Sequence, residues 1–290
     1  MRYGLGMVLV VAAGVLWSTQ GLIFRQIDTA GTWAVLFWRS VGMVPVLLAF
    51  LIWRAGGSPV PAIRKVGVAG VLGGCGLVGA FAGAIYSIQA TTIANAVFLF
   101  AASPFLTALL GWMVLGERVR LETWAAMGVA LAGIYVMVSS DLTGGAMAGN
   151  VAALLSAFGF AVFTVTLRWR RLDDTLPSVL LGGVFSILVG AVVAQALGQS
   201  LAVPLADAVW AMLMGAVTLT GGMVLYTLGS RVVPAAELAL LSNIEVMLAP
   251  LWVWWFLNET ASPATFVGGA ILLVAVMING VSGARRMGRA

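Results

Sequence analysis

The chain has 290 residues, of which 62% are hydrophobic and only 9% are charged, and its mean hydropathy is +1.08. An ordinary soluble domain carries about 25% charged residues, and a soluble fold of this length cannot bury so much apolar surface. Lipid is therefore the expected solvent. The formal charge is +5, but the 15 basic residues are dispersed in short breaks between apolar stretches, which argues against a nucleic-acid surface.

The composition also limits the chemistry that the chain can perform. There is no histidine and a single cysteine, Cys75, so Ser-His and Cys-His nucleophiles and an intrachain disulfide are excluded. No phosphate-binding loop of the GxxxxGK[ST] type is present. We therefore predict no enzyme, no cofactor and no bound metal. The expected partners are a small-molecule substrate and the lipid bilayer, and a membrane enzyme is a minor alternative.

Taken in chain order, apolar runs of about 18–25 residues, the length that crosses a bilayer, follow one another to the C-terminus. The first begins at Gly4 and is too long for the apolar part of a signal peptide, so we expect it to be retained. Charges and turn residues fill the breaks, as between Arg25 and Gly31. The sequence predicts an all-α integral membrane protein with ten spans, at 4–24, 32–53, 66–88, 93–115, 121–139, 149–168, 176–197, 208–230, 235–257 and 262–284.

The distribution of basic residues predicts the orientation of these spans. With a cytoplasmic N-terminus, 13 of the 15 Lys and Arg residues fall at the inner ends of spans or in inner loops. The exceptions are Arg25, in an outer loop, and Arg39, inside the second span. Because cytoplasmic loops are enriched in Lys and Arg, we expect both termini in the cytoplasm.

The chain also repeats itself at a spacing of about 142–144 residues. The segment from Leu115 to Glu117 matches the segment from Leu257 to Glu259, and Gly6 to Arg25 parallels 149–168. Each half, 1–140 and 141–290, then holds five spans. Because five is odd, the second half enters the membrane from the opposite side. Inverted repeats of this kind are typical of transporters, whose substrate site lies near the midplane where the halves meet.

A family resemblance rests on the fourth helix of each half. The run from Ala102 to Gly111, continued by Leu115-Gly116-Glu117, resembles the fourth helix of EamA-type members of the drug/metabolite transporter superfamily. In that family a proline often follows the glutamate at the position of Glu245, whereas this chain has Val246, and Pro250 one turn later can bend the helix instead. The resemblance implies a ten-helix transporter around a central cavity. It is closest to the bacterial aromatic amino-acid exporters of the inner membrane.

Charged and amide groups inside the spans are the first candidates for a site, since a charge at mid-membrane costs about 2.5–3.5 kcal/mol. Glu245 could hold a substrate ammonium or carry a proton, or it could cap a bent helix or pair with Arg39. Asn243 lies two residues before it. Arg39 could receive a substrate carboxylate, but it could instead snorkel outward or pair within the fold. Glu237 is a possible second proton-coupling group, although an acid in the first turn of a helix also suits the helix dipole.

A second group of candidates lies on the first span and its repeat partners. Gln20 can donate and accept hydrogen bonds, whereas its second-half counterpart is the apolar Phe163. This asymmetry suits a site that must bind one end of a zwitterion. Trp17 would form an aromatic wall beside it. Ser18 and its neighbour Thr19 are expected to bond only their own helix backbone. Asn95 is the repeat counterpart of Glu237. The aromatic candidates for stacking on substrate, with packing as the alternative, are Phe81, Tyr86, Phe98, Phe160, Phe163 and Tyr226.

Together these observations predict a secondary transporter that exports amino acids, aromatic and other large apolar ones in particular, or related metabolites by alternating access, rocking between outward-open and inward-open states. A multidrug or small-cation exporter of the same superfamily is the nearest alternative, and a channel belongs to a different class. Facilitative and proton-coupled transport both fit the sequence, as do a monomer and a dimer.

Overall fold

The computed structural model describes residues 3–139, 144–172, 174–229, 232–233, 241 and 244–287, without the side chains of 144–146 and 280–287. All regular structure in this part of the chain is helical. Eight helical spans of 19 to 31 residues are apolar enough to cross a membrane, and two shorter apolar helices, Ile244–Leu257 and Pro263–Asn279, follow them. The eight long segments overlap the first eight predicted spans, and the two shorter helices fall within the last two. The chain is a multi-pass membrane protein.

Four of the described spans are interrupted rather than continuous. The first breaks at Thr19, the third kinks at Gly67, where φ is 50°, the fourth breaks at Ala101 and Ala102, and the eighth contains a π-helix, Met214–Gly221. In chain order the helices are α1 Tyr3–Ser18, α2 Gln20–Phe24, α3 Thr32–Ala55, α4 Val60–Ala90, α5 Ile93–Phe100, α6 Ser103–Leu115, α7 Leu121–Ser139, α8 Gly144–Trp169, α9 Leu176–Ala196, α10 Leu205–Leu213, then the π-helix, α11 Gly222–Gly229, α12 Ile244–Leu257 and α13 Pro263–Met287.

Large apolar side chains cover the outside of the bundle. Trp53, Tyr135 and Leu121 are 74%, 74% and 81% exposed, and dozens of Leu, Val, Phe and Trp side chains resemble them. A water-facing surface of this kind would aggregate, whereas lipid tails solvate it. Polar side chains with hydrogen-bond partners lie between helices or at helix ends.

The spans pack around two clusters of buried apolar side chains. Helix α4 packs along α8 and α9, and α3 contacts α9, α10 and the π-helix. The larger cluster fills the space between these helices and includes Phe81, Phe163 and Leu219. The smaller cluster joins α5, α7, α12 and α13, where Phe98 and Leu272 are buried.

Small residues let the second and eighth spans meet backbone to backbone. A Cβ added at Gly42 of α3 would collide with the backbone of Met212, and a Cβ added at Gly215 of the π-helix would collide with the carbonyl of Arg39. Glycine at helix crossings is the usual way that membrane helices approach closely. This contact fixes α3, and with it the backbone of Arg39, against the π-helix.

The fourth and ninth spans end in the same backbone turn. Gly116 and Asn258 directly follow the last helical residues. Both adopt a left-handed backbone conformation, with φ of 67° and 52°. The next residues, Glu117 and Glu259, each donate their backbone N–H to the carbonyl six positions earlier at 3.2 Å. Such left-handed turns satisfy the last carbonyls of a helix, and here they bring two carboxylates to equivalent places.

We expect Gly42→Ala to lower the stability of the folded protein by about 1–3 kcal/mol, the usual cost of overpacking. The matched control is Gly79→Ala on α4, where an added Cβ meets no atom within 4 Å and helix propensity favours alanine by about 0.5–1 kcal/mol. Thermal unfolding in detergent measures both. Equal midpoints for the two variants would contradict the close approach of α3 and α10.

Candidate functional site

The break in the first span places Trp17 against the eighth span. Its indole packs on the backbone of Gly222, and its ring centroid lies 5.6 Å from that of Tyr226. The indole Nε1–H points to the carbonyl oxygen of Leu219, 3.5 Å away, at the end of the π-helix. A π-helix inside a membrane span is uncommon and often marks a functional position. Trp17 and Tyr226 are therefore brought together, as a ring pair between two spans.

The polar residues that follow Trp17 divide into two kinds. The hydroxyls of Ser18 and Thr19 each donate to the carbonyl three residues earlier at 2.7 Å, as expected, and Ser18 also accepts the indole N–H of Trp252 at 2.9 Å. Gln20 is partly buried, and its amide forms no hydrogen bond with any residue that the structure describes. An amide without a protein partner is available to a ligand.

Glu245, near the start of α12, lies beside the first span. A Cβ added at Gly14 of α1 would lie 3.7 Å from the backbone nitrogen of Glu245, so the two helices touch there. The carboxylate is partly buried and has no ion-pair or hydrogen-bond partner in the described part of the chain. Asn243 and Glu237 lie outside the described residues.

Arg39 is 5% exposed, and its guanidinium stacks over the ring of Phe81 with 4.4 Å between the guanidinium carbon and the ring centroid. Its Nε and Nη2 atoms are buried without a hydrogen-bond partner among the described residues. Arg39 therefore neither snorkels outward nor pairs with Glu245, which were the alternatives to a ligand-binding role. Phe81 supplies a cation–π contact, but no counter-ion.

A second aromatic group lies between the fourth and sixth spans. The ring of Phe160 is 5.7 Å from that of Phe100 and 5.8 Å from that of Phe163. Phe163 belongs to the same apolar cluster as Phe81 and Leu219. This cluster connects the Phe160 group to the Arg39 stack, and through Leu219 to Trp17 and its partner Tyr226, so six of the predicted residues are joined by a continuous set of contacts.

Three other predicted residues are not part of this set. Tyr86 is 44% exposed. Phe98 packs on the backbone of α13 in the smaller cluster. Asn95 is fully buried, and its Nδ2 donates to Thr91 Oγ1 at 3.2 Å and to Asn150 Oδ1. These contacts join the start of the fourth span to the sixth, which is a structural role.

Two further residues that join spans were missed by sequence reasoning. Phe100 carries one end of the second aromatic group, and its only signal is its position directly before the helix break at Ala101. Trp252 lies in the ninth span, and its indole N–H donates to Ser18 of the first span. An indole N–H inside a bilayer needs an acceptor, and the polar run at 17–20 offered one.

Ion pairs close the bundle at both ends. At the end where the first span finishes, Arg25 Nε lies 2.8 Å from Glu259 Oε2, and the same guanidinium donates to the carbonyls of Ile88 at 3.1 Å and Thr91 at 3.4 Å. The other carboxylate oxygen of Glu259 accepts the backbone N–H of Ile93 at 2.8 Å. This cluster joins the first, third, fourth and ninth spans.

The opposite end has two ion pairs. Arg168 Nη2 lies 2.8 Å from Glu117 Oε2, which joins the sixth span to the fourth. Arg54, at the end of α3, pairs with Asp174, just before α9. Among the described residues, no group of three Cys, Asp or Glu side chains is arranged to hold a metal ion.

The comparisons with known proteins agree with this architecture. The profile of the EamA-like transporter family matches residues 4–139 and 147–281. The chain belongs to this family. An uncharacterized transporter of Archaeoglobus fulgidus is 28% identical over 284 residues, 96% of each chain. The Pseudopaline exporter CntI of Pseudomonas aeruginosa PA14 is 26% identical and covers 93% of this chain and 94% of its own.

More distant relatives extend the comparison. Human solute carrier family 35 member G1 is 23% identical over 94% of this chain and 77% of its own length. A solved crystal structure of a protein superimposes with a TM-score of 0.64 at 18% identity, over 95% of this chain and 98% of that one. The likeness supports the fold of this EamA-family member.

We expect Arg39→Met to leave the EamA-family bundle as stable as before, or more stable. The substitution removes a buried charge without a protein counter-ion, and such charges cost several kcal/mol, more than the roughly 2 kcal/mol of a desolvated cation–π contact. Arg25→Met is the matched control, and it should destabilise because it leaves Glu259 without its cation. Thermal unfolding of both variants measures the difference. If Arg39→Met lowered the unfolding temperature as much as Arg25→Met does, the guanidinium of Arg39 could not be unpartnered.

Proposed function

We propose that the chain exports amino acids, large apolar or aromatic ones in particular, or closely related metabolites across the inner membrane of a bacterium by alternating access, opening first to one side and then to the other. Membership of the EamA-like family makes it a transporter. The amino-acid substrate is our inference from the interior of the bundle. A relative named as an exporter of pseudopaline supports the outward direction for this chain.

The observation that carries the proposal is a set of polar groups inside the bundle that have no partner among the described residues. Gln20 follows the break in the first span, Glu245 lies against that span near Gly14, and Arg39 lies on the second span. Gln20, Glu245 and Arg39 form no hydrogen bond or ion pair with any residue that the structure describes. Such groups are costly inside a membrane and are usually retained for function. An amide, an acid and a guanidinium complement the two charged groups of a zwitterion.

Each group has a role that follows from its charge. Glu245 binds the substrate ammonium, and Arg39 and Gln20 receive its carboxylate through charge-assisted hydrogen bonds. The ring pair Trp17–Tyr226 and the group around Phe160 stack on an apolar or aromatic substrate side chain. In the same proposal Asn243 adds a hydrogen-bonding group next to Glu245. Glu237 and Glu245 are the groups that a proton-coupled cycle uses.

The proposed site lies where two inverted halves, 1–140 and 141–290, enclose a central cavity with both termini in the cytoplasm. The family profile matches each half once, which supports this arrangement. The contacts between spans support it as well, because a contact between two spans recurs between the counterparts of those spans in the other half. The third span packs on the sixth as the first does on the eighth, and the fourth packs on the sixth as the first does on the ninth.

Counterflow in proteoliposomes tests the proposal. Vesicles loaded with unlabelled phenylalanine, tryptophan or leucine should transiently accumulate the labelled amino acid. Gln20→Ala and Glu245→Gln should each reduce the initial rate at low substrate by about tenfold or more, the effect of losing one hydrogen bond to a charged group. Gln195→Ala and Glu122→Gln, at exposed helix ends, are matched controls and should keep the wild-type rate.

The outcomes separate the alternatives. A channel gives no accumulation against the gradient, and an enzyme changes the labelled molecule. Exchange of lipophilic cations without exchange of any of the twenty amino acids would replace this proposal with a multidrug exporter. If Glu245→Gln keeps counterflow but loses accumulation driven by a pH gradient, Glu245 is a proton site and its ammonium-binding role is wrong.

A further inference from the structure

The ion pairs Arg25–Glu259 and Arg168–Glu117 are equivalent in the sequence repeat. Arg168 lies 143 positions after Arg25, and Glu259 lies 142 positions after Glu117. Both arginines follow or end the first span of a half, and both glutamates follow the fourth span through the same left-handed turn. The structure pairs each arginine with the glutamate of the other half, so one pair becomes the other when the halves are exchanged.

The two pairs lie at opposite ends of the bundle. The first span ends at Phe24, and the sixth span, which runs in the opposite sense after an odd number of spans, ends at Trp169. At one end the Arg25 pair ties the first span to the ninth, and at the other the Arg168 pair ties the sixth to the fourth. Opening either end between the halves requires its pair to separate.

The pairs differ in how firmly they are held. The side chains of Arg25 and Glu259 are 30% and 18% exposed, whereas those of Arg168 and Glu117 are 49% and 35% exposed. Arg25 and Glu259 also share the hydrogen bonds to Ile88, Thr91 and Ile93. An ion pair that is more exposed to water stabilises less. In the described conformation, the ion pair at the Arg25 end therefore stabilises the contact between spans more than the ion pair at the Arg168 end does.

From this geometry we propose that the two ion pairs are alternating latches. The Arg25–Glu259 pair closes one end while the other end opens, and the Arg168–Glu117 pair closes the second end when the first opens. The proposal rests on the alternating access of the proposed function, but not on its amino-acid substrate. The pair Arg54–Asp174 has no repeat equivalent, since positions 197 and 31 are Leu and Gly, so it should not act as a latch.

Distances between spin labels at each end test the latches in the full chain. In a Cys75→Ala background in lipid nanodiscs, nitroxide pairs at positions 26 and 260 report one end, and pairs at the repeat-equivalent positions 169 and 118 report the other. All four side chains are exposed. Arg25→Gln should raise the population of the longer distance at its own end by about tenfold, the loss of one charged hydrogen bond, and shorten the distance at the opposite end.

Glu117→Gln should produce the reverse pattern, and the charge exchange Arg25→Glu with Glu259→Arg should restore the wild-type distances at both ends. Arg54→Gln is the control and should change neither distribution. Unchanged distributions in Arg25→Gln and Glu117→Gln, or widening only at the substituted end, would overturn the latches. A different result would contradict the proposed function: in the wild-type protein, the distance between the labels at each end would stay the same with and without candidate amino acids.

Discussion

The inability of a bilayer interior to form hydrogen bonds governs this structure. Every polar group that enters the hydrocarbon region must find its partner within the protein. Most of them do, as Trp252 donates to Ser18 and Ser18 donates to the carbonyl of Val15. Among the described residues, four buried serine hydroxyls lack a partner, and so do the side chains of Arg39, Gln20 and Glu245. The last three matter most, because two of them can carry a charge and the third is an amide. A zwitterionic substrate between the halves would supply what these side chains lack.

The same constraint made the helical spans predictable from sequence. Membrane thickness fixes the length of each apolar run, so hydropathy located the helices within a few residues. Local interruptions were harder. The predicted first span was continuous, and the break at Thr19 was not foreseen. The π-helix Met214–Gly221 was not foreseen either, because its two threonines, Thr218 and Thr220, resemble those that bond carbonyls in ordinary membrane helices. Its geometry depends on the close approach of α3 at Gly215, which only packing can reveal.

The candidate site was predicted in part. Depth along a span can be read from sequence, and it selected Trp17, Arg39 and Phe160, which the structure places in contacts between spans. The direction in which a side chain points depends on neighbouring spans far away in the chain. Asn95 lies at the depth expected of a binding residue. Its amide instead donates a hydrogen bond to Asn150, which lies 55 positions later and could not be identified as a neighbour from the sequence. Trp17 and its repeat counterpart Phe160 both reached the interior, because the repeat register carries information about the helix face as well as the depth.

The central claim is that two halves of opposite orientation place equivalent ion pairs on opposite faces of the membrane. Labelling of single cysteines at positions 28 and 170, both exposed, tests it directly in a Cys75→Ala background. A membrane-impermeant maleimide is applied to spheroplasts whose cytoplasmic membrane is intact. Position 28 should be labelled at once, whereas position 170 should be labelled only after permeabilisation. Labelling of both positions from the same side would contradict the inverted architecture, and with it the site and the latches.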